Sequence, residues 1–478
     1  MAQILSFPND SSAAVASGSG VQDRAQRVVR RLREAFRSGR TRPLAWRRAQ
    51  LEGLGRFLTT EEEPILAALQ RDLGKPRYEA VTGELGVLRG ELREALRSLS
   101  RWTRAERVGI PLVHQPGAAR IEREPLGVVL IIGPWNYPLQ LVLAPLVSAI
   151  AAGNAALLKP SEHAPATSAL LAQSLGSYLD PEAVQVFEGA VDASRALLAQ
   201  RFDHIFFTGG GRVGRAVLEA AAPHLTPVTL ELGGKSPAIV DASADIEVAA
   251  RRIAWGRFYN AGQTCVAPDY VLVDREVARR FRVALERSLD GFYGAHPAES
   301  ADYARIVNLS HLRRLEALIV GMPVVRGGGV DVEGLFMEPT IVWNPPLDSA
   351  LMQEEIFGPI LPVIPVDDLD QALAVVEGRP DPLSLYMFSR DRAAKERVRL
   401  ATRSGGLVYN DVIVHLTVAG LPFGGIGASG MGRAHGRAGF ETFSQQRSVM
   451  SHATWFDPSV RYPPYSDAKL SISRRLLG

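Results

Sequence analysis

Between residues 126 and 232 short apolar runs alternate with segments of helical periodicity, and this alternation limits the fold more than any other feature. Leu126 to Ile132 is a continuous apolar run, and Ala155–Leu158, Val184–Phe187, His204–Phe207 and Val228–Leu232 are further short, mainly apolar runs. Helical patterns over Leu139–Ala152, Ala164–Leu175, Ser194–Gln200 and a stretch ending at Ala222 separate them. Strands without a polar face are buried on both sides, as in parallel sheets. The order β-α-β-α-β therefore predicts an open parallel sheet with helices on both faces. A second alternating α/β region follows Ser236, with a helix over Glu276–Leu289 and strands near Leu361–Pro365. At 478 residues the chain exceeds one ordinary core, so two or three domains are expected.

The loops that end these strands carry the chemistry. After His204–Phe207 come Thr208-Gly209-Gly210-Gly211-Arg212-Val213-Gly214, in which Gly209, Gly211 and Gly214 match G-x-G-x-x-G between a strand and a helix. Such glycines let the backbone approach a pyrophosphate at a helix N-terminus. The acidic residue that usually follows about 20 positions on would here be Glu231. The single cysteine, Cys265, lies in Asn260-Ala261-Gly262-Gln263-Thr264-Cys265, between helical Ala249–Tyr259 and β-rich Tyr270–Val273. A lone cysteine is more often an inert buried residue. A polar loop beside a helix end, with backbone N–H groups nearby, instead favours a thiolate. One cysteine excludes an intrachain disulfide and a Cys-rich metal site. The nine histidines show no metal-binding spacing, so no metal is expected.

The flanks are less specific. Residues 1–20 read as a loose arm rich in Ser, Ala and Gly, without the pattern of a secretory signal. Asp23–Phe36 places Val28, Val29, Leu32 and Phe36 on one helical face. The arginines from Arg24 to Arg48 then read as a solvated face, not as an RNA or lipid site. A net charge of +3 is small for this length and demands neither nucleic acid nor membrane. Pro145, Gly153 and Asn154 interrupt the apolar stretch Leu139–Leu158, which argues against a membrane span and leaves the cytoplasm as the expected location. Alternation over Ala119–Glu124 predicts an exposed two-stranded ribbon. The aromatic and proline-rich tail Trp455–Tyr465 is expected to be non-helical and to drape over a surface or partner subunit.

Taken in order, Gly133-Pro134-Trp135-Asn136-Tyr137-Pro138, Lys159-Pro160-Ser161-Glu162, Phe207-Thr208-Gly209 and Glu231-Leu232-Gly233-Gly234-Lys235-Ser236-Pro237 form the first half of a signature. Gly262-Gln263-Thr264-Cys265, Glu355-Ile356-Phe357-Gly358-Pro359 and Leu421-Pro422-Phe423-Gly424-Gly425 complete it. The set resembles the NAD(P)-dependent aldehyde dehydrogenases. Asn410-Asp411 with His415, and Phe440-Glu441-Thr442-Phe443-Ser444, are similar to the class 3 branch of fatty and aromatic aldehyde dehydrogenases, which includes bacterial coniferyl aldehyde dehydrogenases.

The resemblance implies an α/β fold with two Rossmann-like parallel-sheet domains and a small β-ribbon for oligomerisation, in a homodimer. The expected NAD-binding domain is 21–111 with 126–232, the ribbon 112–125 with 442–451, the catalytic domain 233–441 and a tail 452–478. It implies oxidation of an aldehyde to the acid through a thiohemiacetal and thioester on Cys265. Asn136 and the Cys265 backbone N–H would hold the oxyanion, and Glu231 would be the general base. Lys159 and Glu162 would bind the adenosine ribose, which frees Glu231 from that duty. Trp135, Leu232, Glu355 and Phe357 would also meet the cofactor. Many relatives have a polar residue after Gly209; here Gly210 and Gly211 leave backbone contacts only, with Gly214 behind them. Glu162 favours a free 2′-hydroxyl, hence NAD before NADP. Tyr137 and His415, with Leu416 and Thr417, are expected at the mouth for a hydrophobic aliphatic or aromatic aldehyde. The rival readings are transfer of the acyl group to coenzyme A and a non-catalytic scaffold of the same fold. Glu231 argues against the first, and the set Cys265, Glu231, Asn136 against the second.

Overall fold

A computed structural model describes residues 18–477. The first sheet has six strands, in the order Gly430–Met431, Val228–Glu231, His204–Thr208, Val128–Ile132, Ala155–Lys159 and Val184–Val186. The last five are mutually parallel, with Val129 opposite His204 and Val128 opposite Ala155. Val128–Ile132, Ala155–Lys159 and His204–Thr208 are buried at every position, as their apolar runs require. Gly430–Met431 adds an antiparallel edge that sequence periodicity did not reveal. From Val128–Ile132 the chain moves outward through two strands and then returns to the opposite side at His204–Thr208. A crevice therefore opens beyond the carboxyl ends of these two neighbours.

Helices cover both faces. One face packs Val29 and Leu32 of helix Gly18–Arg37 against Val128, Leu130 and Phe207. The arginines of this region are engaged locally: Arg33 pairs with Asp203 at 2.9 Å and Arg40 with Asp180 at 2.6 Å, while Arg24 lies over Phe187. The other face packs helix Gln140–Ala152, buried along almost its whole length, between the sheet and helix Gly86–Trp102. No described helix is long and apolar enough to cross a membrane.

The second sheet has seven strands, ordered Val324–Arg326, Thr340–Trp343, Ile360–Val366, Tyr270–Asp274, Pro237–Val240, Ser384–Phe388 and Gly406–Tyr409. All but the first are parallel. The expected α/β architecture with two Rossmann-like sheets is what the chain adopts.

The flanking segments meet their expectations in part. The ribbon is a three-stranded antiparallel sheet of Glu106–Val108, Gly117–Pro125 and Ser444–His452; Gly117–Pro125 is one strand, and Leu112–His114 before it is a 3-10 turn. Local alternation marks a strand but not its partners, one of which comes here from just before it and the other from a distant segment. The tail is irregular at Trp455 and Tyr465, both exposed, apart from one turn at Ser459–Arg461; beyond it Asp467–Leu477 is helical. The expected loose arm lies outside the described residues except for its last three, which open helix Gly18–Arg37.

Candidate active site

Cys265 follows a sharp reversal at the end of helix Ile246–Phe258. Asn260, Ala261 and Gly262 take φ of 54°, 51° and 74°, three left-handed residues in succession. Glycine adopts this freely, and a Cβ on Gly262 would stand 2.2 Å from the Gly358 carbonyl oxygen. Ala261 there costs on the order of 1 kcal/mol, strain of the kind stored at functional sites. The Gln263 amide anchors the turn, donating to Asn260 O and Arg305 O and accepting from Val307 N–H. Half-buried Cys265 is left facing a cavity. Burial, then the Glu355 and Glu231 carboxyls, push its thiol up to about 12, while the N–H groups of Cys265 and Val266 pull it down.

The cavity measures about 1160 Å³ with its open mouth included. Cys265, Thr264, Glu231, Leu232 and Tyr137 line it, and Val87, Trp255, Tyr259, Leu416 and Phe423 line its apolar walls. Glu231 is buried at the end of its strand, and neither carboxyl oxygen has a hydrogen-bond partner in the protein. Burial raises its pKa well above the carboxylate range, only partly offset by Arg433. Thr417 joins the wall, but His415 does not. Its ring packs between Tyr386 and Phe423, and Nε2 lies 3.1 Å from Ser384 Oγ. The 3-10 turn Val414–Thr417 directs its neighbours to the cavity and turns His415 away, a distinction that spacing alone does not give.

Asn136 lies behind this wall, buried in the loop after Ile132. Its Nδ2 donates to Gln263 O at 3.0 Å, and its Oδ1 has no partner. A primary amide carries two N–H donors, so one remains for another acceptor. Tyr137, next in sequence, places its hydroxyl 2.7 Å from Thr264 Oγ1. The Asn136 carbonyl accepts from Lys75 Nζ and Asn260 Nδ2.

At the carboxyl ends of the first sheet the remaining expected residues gather. Buried Lys159 donates to Glu162 at 2.9 Å and to Pro160 O. Partial burial pushes the Glu162 carboxyl up, but its own backbone N–H and Lys159 outweigh this and hold it below the usual range. Gly209 leaves its strand, Gly210 caps helix Gly211–Ala221, and a Cβ on Gly210 or Gly211 would meet open space. At Gly214 a Cβ would touch Leu232 at 3.0 Å, so this glycine allows close helix–strand packing. The Thr208 hydroxyl is buried without a partner. Across the crevice the Glu355 carboxyl crowds Gly233, and burial, then Asp269, push it up to about 8. Phe357, at φ 49°, meets the Trp135 ring edge-on at 5.4 Å. A buried cluster holds this loop: Lys235 pairs with Asp269 at 2.7 Å and donates to Glu354 O, while Arg257 pairs with Asp269 at 3.0 Å. A glycine-lined helix N-terminus, an orphaned hydroxyl and a lysine–carboxylate pair are donors and space that suit a dinucleotide.

Residues 7–449 match the aldehyde dehydrogenase family. Aldehyde dehydrogenase family 3 member H1 of Arabidopsis thaliana is 46% identical over 458 residues, covering 95% of each chain. Aldehyde dehydrogenase family 3 member B1 of Homo sapiens is 47% identical over 447 residues, 93% of this chain and 96% of the relative. The substrate-bound structure of Staphylococcus aureus AldH superposes with a TM-score of 0.92 at 42% identity, covering 95% of this chain and 99% of that one. A mutant of the P. syringae indole-3-acetaldehyde dehydrogenase AldA, in complex with NAD+ and IAA, superposes with a TM-score of 0.83 at 27% identity, over 90% of this chain and 89% of that one. The chain belongs to the aldehyde dehydrogenase family.

Proposed function

We propose that this aldehyde dehydrogenase converts a hydrophobic aliphatic or aromatic aldehyde to its carboxylic acid, with Cys265 as nucleophile and NAD as the preferred oxidant. The observation that carries the roles is the convergence of the Cys265 thiol and the Glu231 carboxyl on one apolar cavity. The Cys265 thiol gives up its proton to solvent, its sulfur attacks the aldehyde carbon, and the carbonyl oxygen becomes an oxyanion. The Cys265 N–H and the second Asn136 N–H stabilise that charge; one such donor is commonly worth ~3 kcal/mol. When bound, a nicotinamide dinucleotide would supply the hydride acceptor for the former aldehyde carbon and a positive charge that lowers the cost of a thiolate at Cys265. Glu231 then takes a proton from water, the resulting hydroxide attacks the thioester, and the acid leaves as the Cys265 thiol is restored. A buried carboxylate is a stronger base than an exposed one, which is the service Glu231's position offers.

Lys159, Glu162, Gly209, Gly210, Gly211 and the helix behind them would hold the adenosine and pyrophosphate side of the dinucleotide; Glu355, Phe357 and Trp135 would hold the nicotinamide side. An ionised Glu162 opposes a 2′-phosphate. The apolar wall supports a hydrophobic substrate, and Ser444–His452, an edge strand with little burial, supports assembly as a homodimer. A cytoplasmic location fits the same reading. The deciding experiment is NADH production across a panel of aliphatic and aromatic aldehydes, with Cys265→Ala as control. Full activity of that variant would end the assignment.

A further inference from the structure

We infer that the buried ion pair Lys75–Glu84 is a positioning device for the Asn136 amide, an inference that rests on reading Asn136 as an oxyanion donor. Lys75 Nζ and Glu84 Oε1 are 2.5 Å apart, and both side chains are wholly enclosed. Removing two ions from water is unfavourable unless each is fully bonded, and an apolar pair of like size usually stabilises a fold as well. Stability alone therefore gives little reason to place this pair here. Its bonds give a better one. Lys75 Nζ donates at 2.9 Å to the carbonyl of Asn136 and lies 4.2 Å from the Tyr137 ring centre. Glu84 Oε2 accepts from the N–H groups of Leu139 and Gln140, which open helix Gln140–Ala152.

The two side chains thus grip both ends of the segment 136–140. Asn260 Nδ2 supplies a second bond to the Asn136 carbonyl, and Glu79 holds Asn260 through its backbone N–H at 2.8 Å. With its backbone carbonyl held by two buried donors and its side-chain Nδ2 on Gln263 O, Asn136 is fixed relative to the cysteine loop. A π-helical turn, Val81–Leu85, interrupts the path from helix Arg77–Ala80 to helix Gly86–Trp102. Its extra residue turns Glu84 inward while Thr82 and Gly83 face the cavity; such turns often occur at functional sites.

Tested on the full-length enzyme with NAD and a turned-over aldehyde, the variants are Lys75→Met, Lys75→Met/Glu84→Gln and Asn136→Ala. Each Lys75 variant is also combined with Asn136→Ala and with Glu231→Gln. The double neutral variant leaves no unpaired buried ion and keeps an acceptor for helix Gln140–Ala152, so it guards against a fold that fails. Melting temperature reports folding, and fluorescence titration reports NAD affinity. The expected result is a fall in kcat of about tenfold or more, the scale of a small misplacement of a catalytic group. KM and NAD affinity should stay within about twofold. In the Asn136→Ala background the same change should cost less than about twofold, while its loss should multiply that of Glu231→Gln. Losses that multiply in both backgrounds would show a merely structural pair and overturn the inference. Asn136→Ala with undiminished kcat would instead remove the oxyanion reading itself, and this inference with it.

Discussion

Cys265 and Glu231 share one cavity, and burial opposes the charged form of each. Within such a pair the protons belong to both groups together. Without the cofactor's charge nearby, burial favours the thiol and the protonated carboxyl in the resting site. Turnover needs both to lose protons in sequence, so kcat/KM should rise with pH well beyond the ordinary carboxylate range. A pH–rate profile that was flat from pH 5 upward would contradict this. Glu231→Gln keeps the shape of the site and removes the base. Its steady-state kcat should fall by roughly 10²–10⁴-fold, the usual contribution of a general base. Stopped-flow absorbance should then show a burst of NADH approaching one per site before the slow phase, because thioester hydrolysis is the step most in need of Glu231. Without a burst, Glu231 would be acting first on the Cys265 proton. Cys265→Ala should cost roughly 10³-fold or more with no burst at all, as expected for a group that works as a unit with its base.

The elements that carry these residues are joined by close backbone approaches. Gly262 meets the Gly358 carbonyl, which ties the cysteine turn to the loop bearing Glu355 and Phe357. Gly262→Ala adds a Cβ 2.2 Å from that oxygen at a residue with φ 74°. The variant should lose about 2 kcal/mol or more of stability, and its KM for NAD should rise because Glu355 and Phe357 move together; chemical denaturation and steady-state kinetics would measure the two effects. On the opposite side of the crevice Glu162→Gln removes a carboxylate beside Lys159 without changing its size. The ratio of kcat/KM for NADP to that for NAD should increase, and an unchanged ratio would mean that Glu162 does not read the ribose. Sequence revealed most of this frame, because a buried parallel strand must be apolar on both faces and Val128–Ile132 and His204–Thr208 are. It did not reveal Lys75, Glu79 and Glu84. Charged residues in a loop or on the helices that follow it read as solvated until a second segment, here Asn136 to Gln140, is known to close over them. His415 went astray for a smaller reason, since one step along a 3-10 turn separates the cavity wall from the packing behind it.

At the scale of the whole molecule, the crevice between the two sheets keeps carboxyls in surroundings that favour their neutral forms. Glu355 is raised to about 8 by burial and Asp269, and Glu231 is raised well above the carboxylate range by burial. A group whose folded pKa exceeds its unfolded value stabilises the fold fully below the unfolded value, near 4.3 for Glu. That contribution is lost as pH climbs through the folded value, because the folded chain holds its proton longer than the unfolded chain does. The window for Glu355 thus runs from about pH 4.3 to about pH 8, and Glu231 acts in the same direction. The melting temperature of the cofactor-free enzyme should therefore fall between pH 6 and pH 9. Glu355→Gln and Glu231→Gln, neutral at every pH, should each flatten the fall. Saturating NAD should raise the melting temperature, since a ligand at 100 times its Kd contributes about 2.7 kcal/mol. Calorimetry of the three proteins across this range is the check. A melting temperature that rose with pH in the parent, or a slope unchanged in both variants, would mean that these carboxyls are already ionised in the folded enzyme. Glu231 would then need no cofactor charge to become a base.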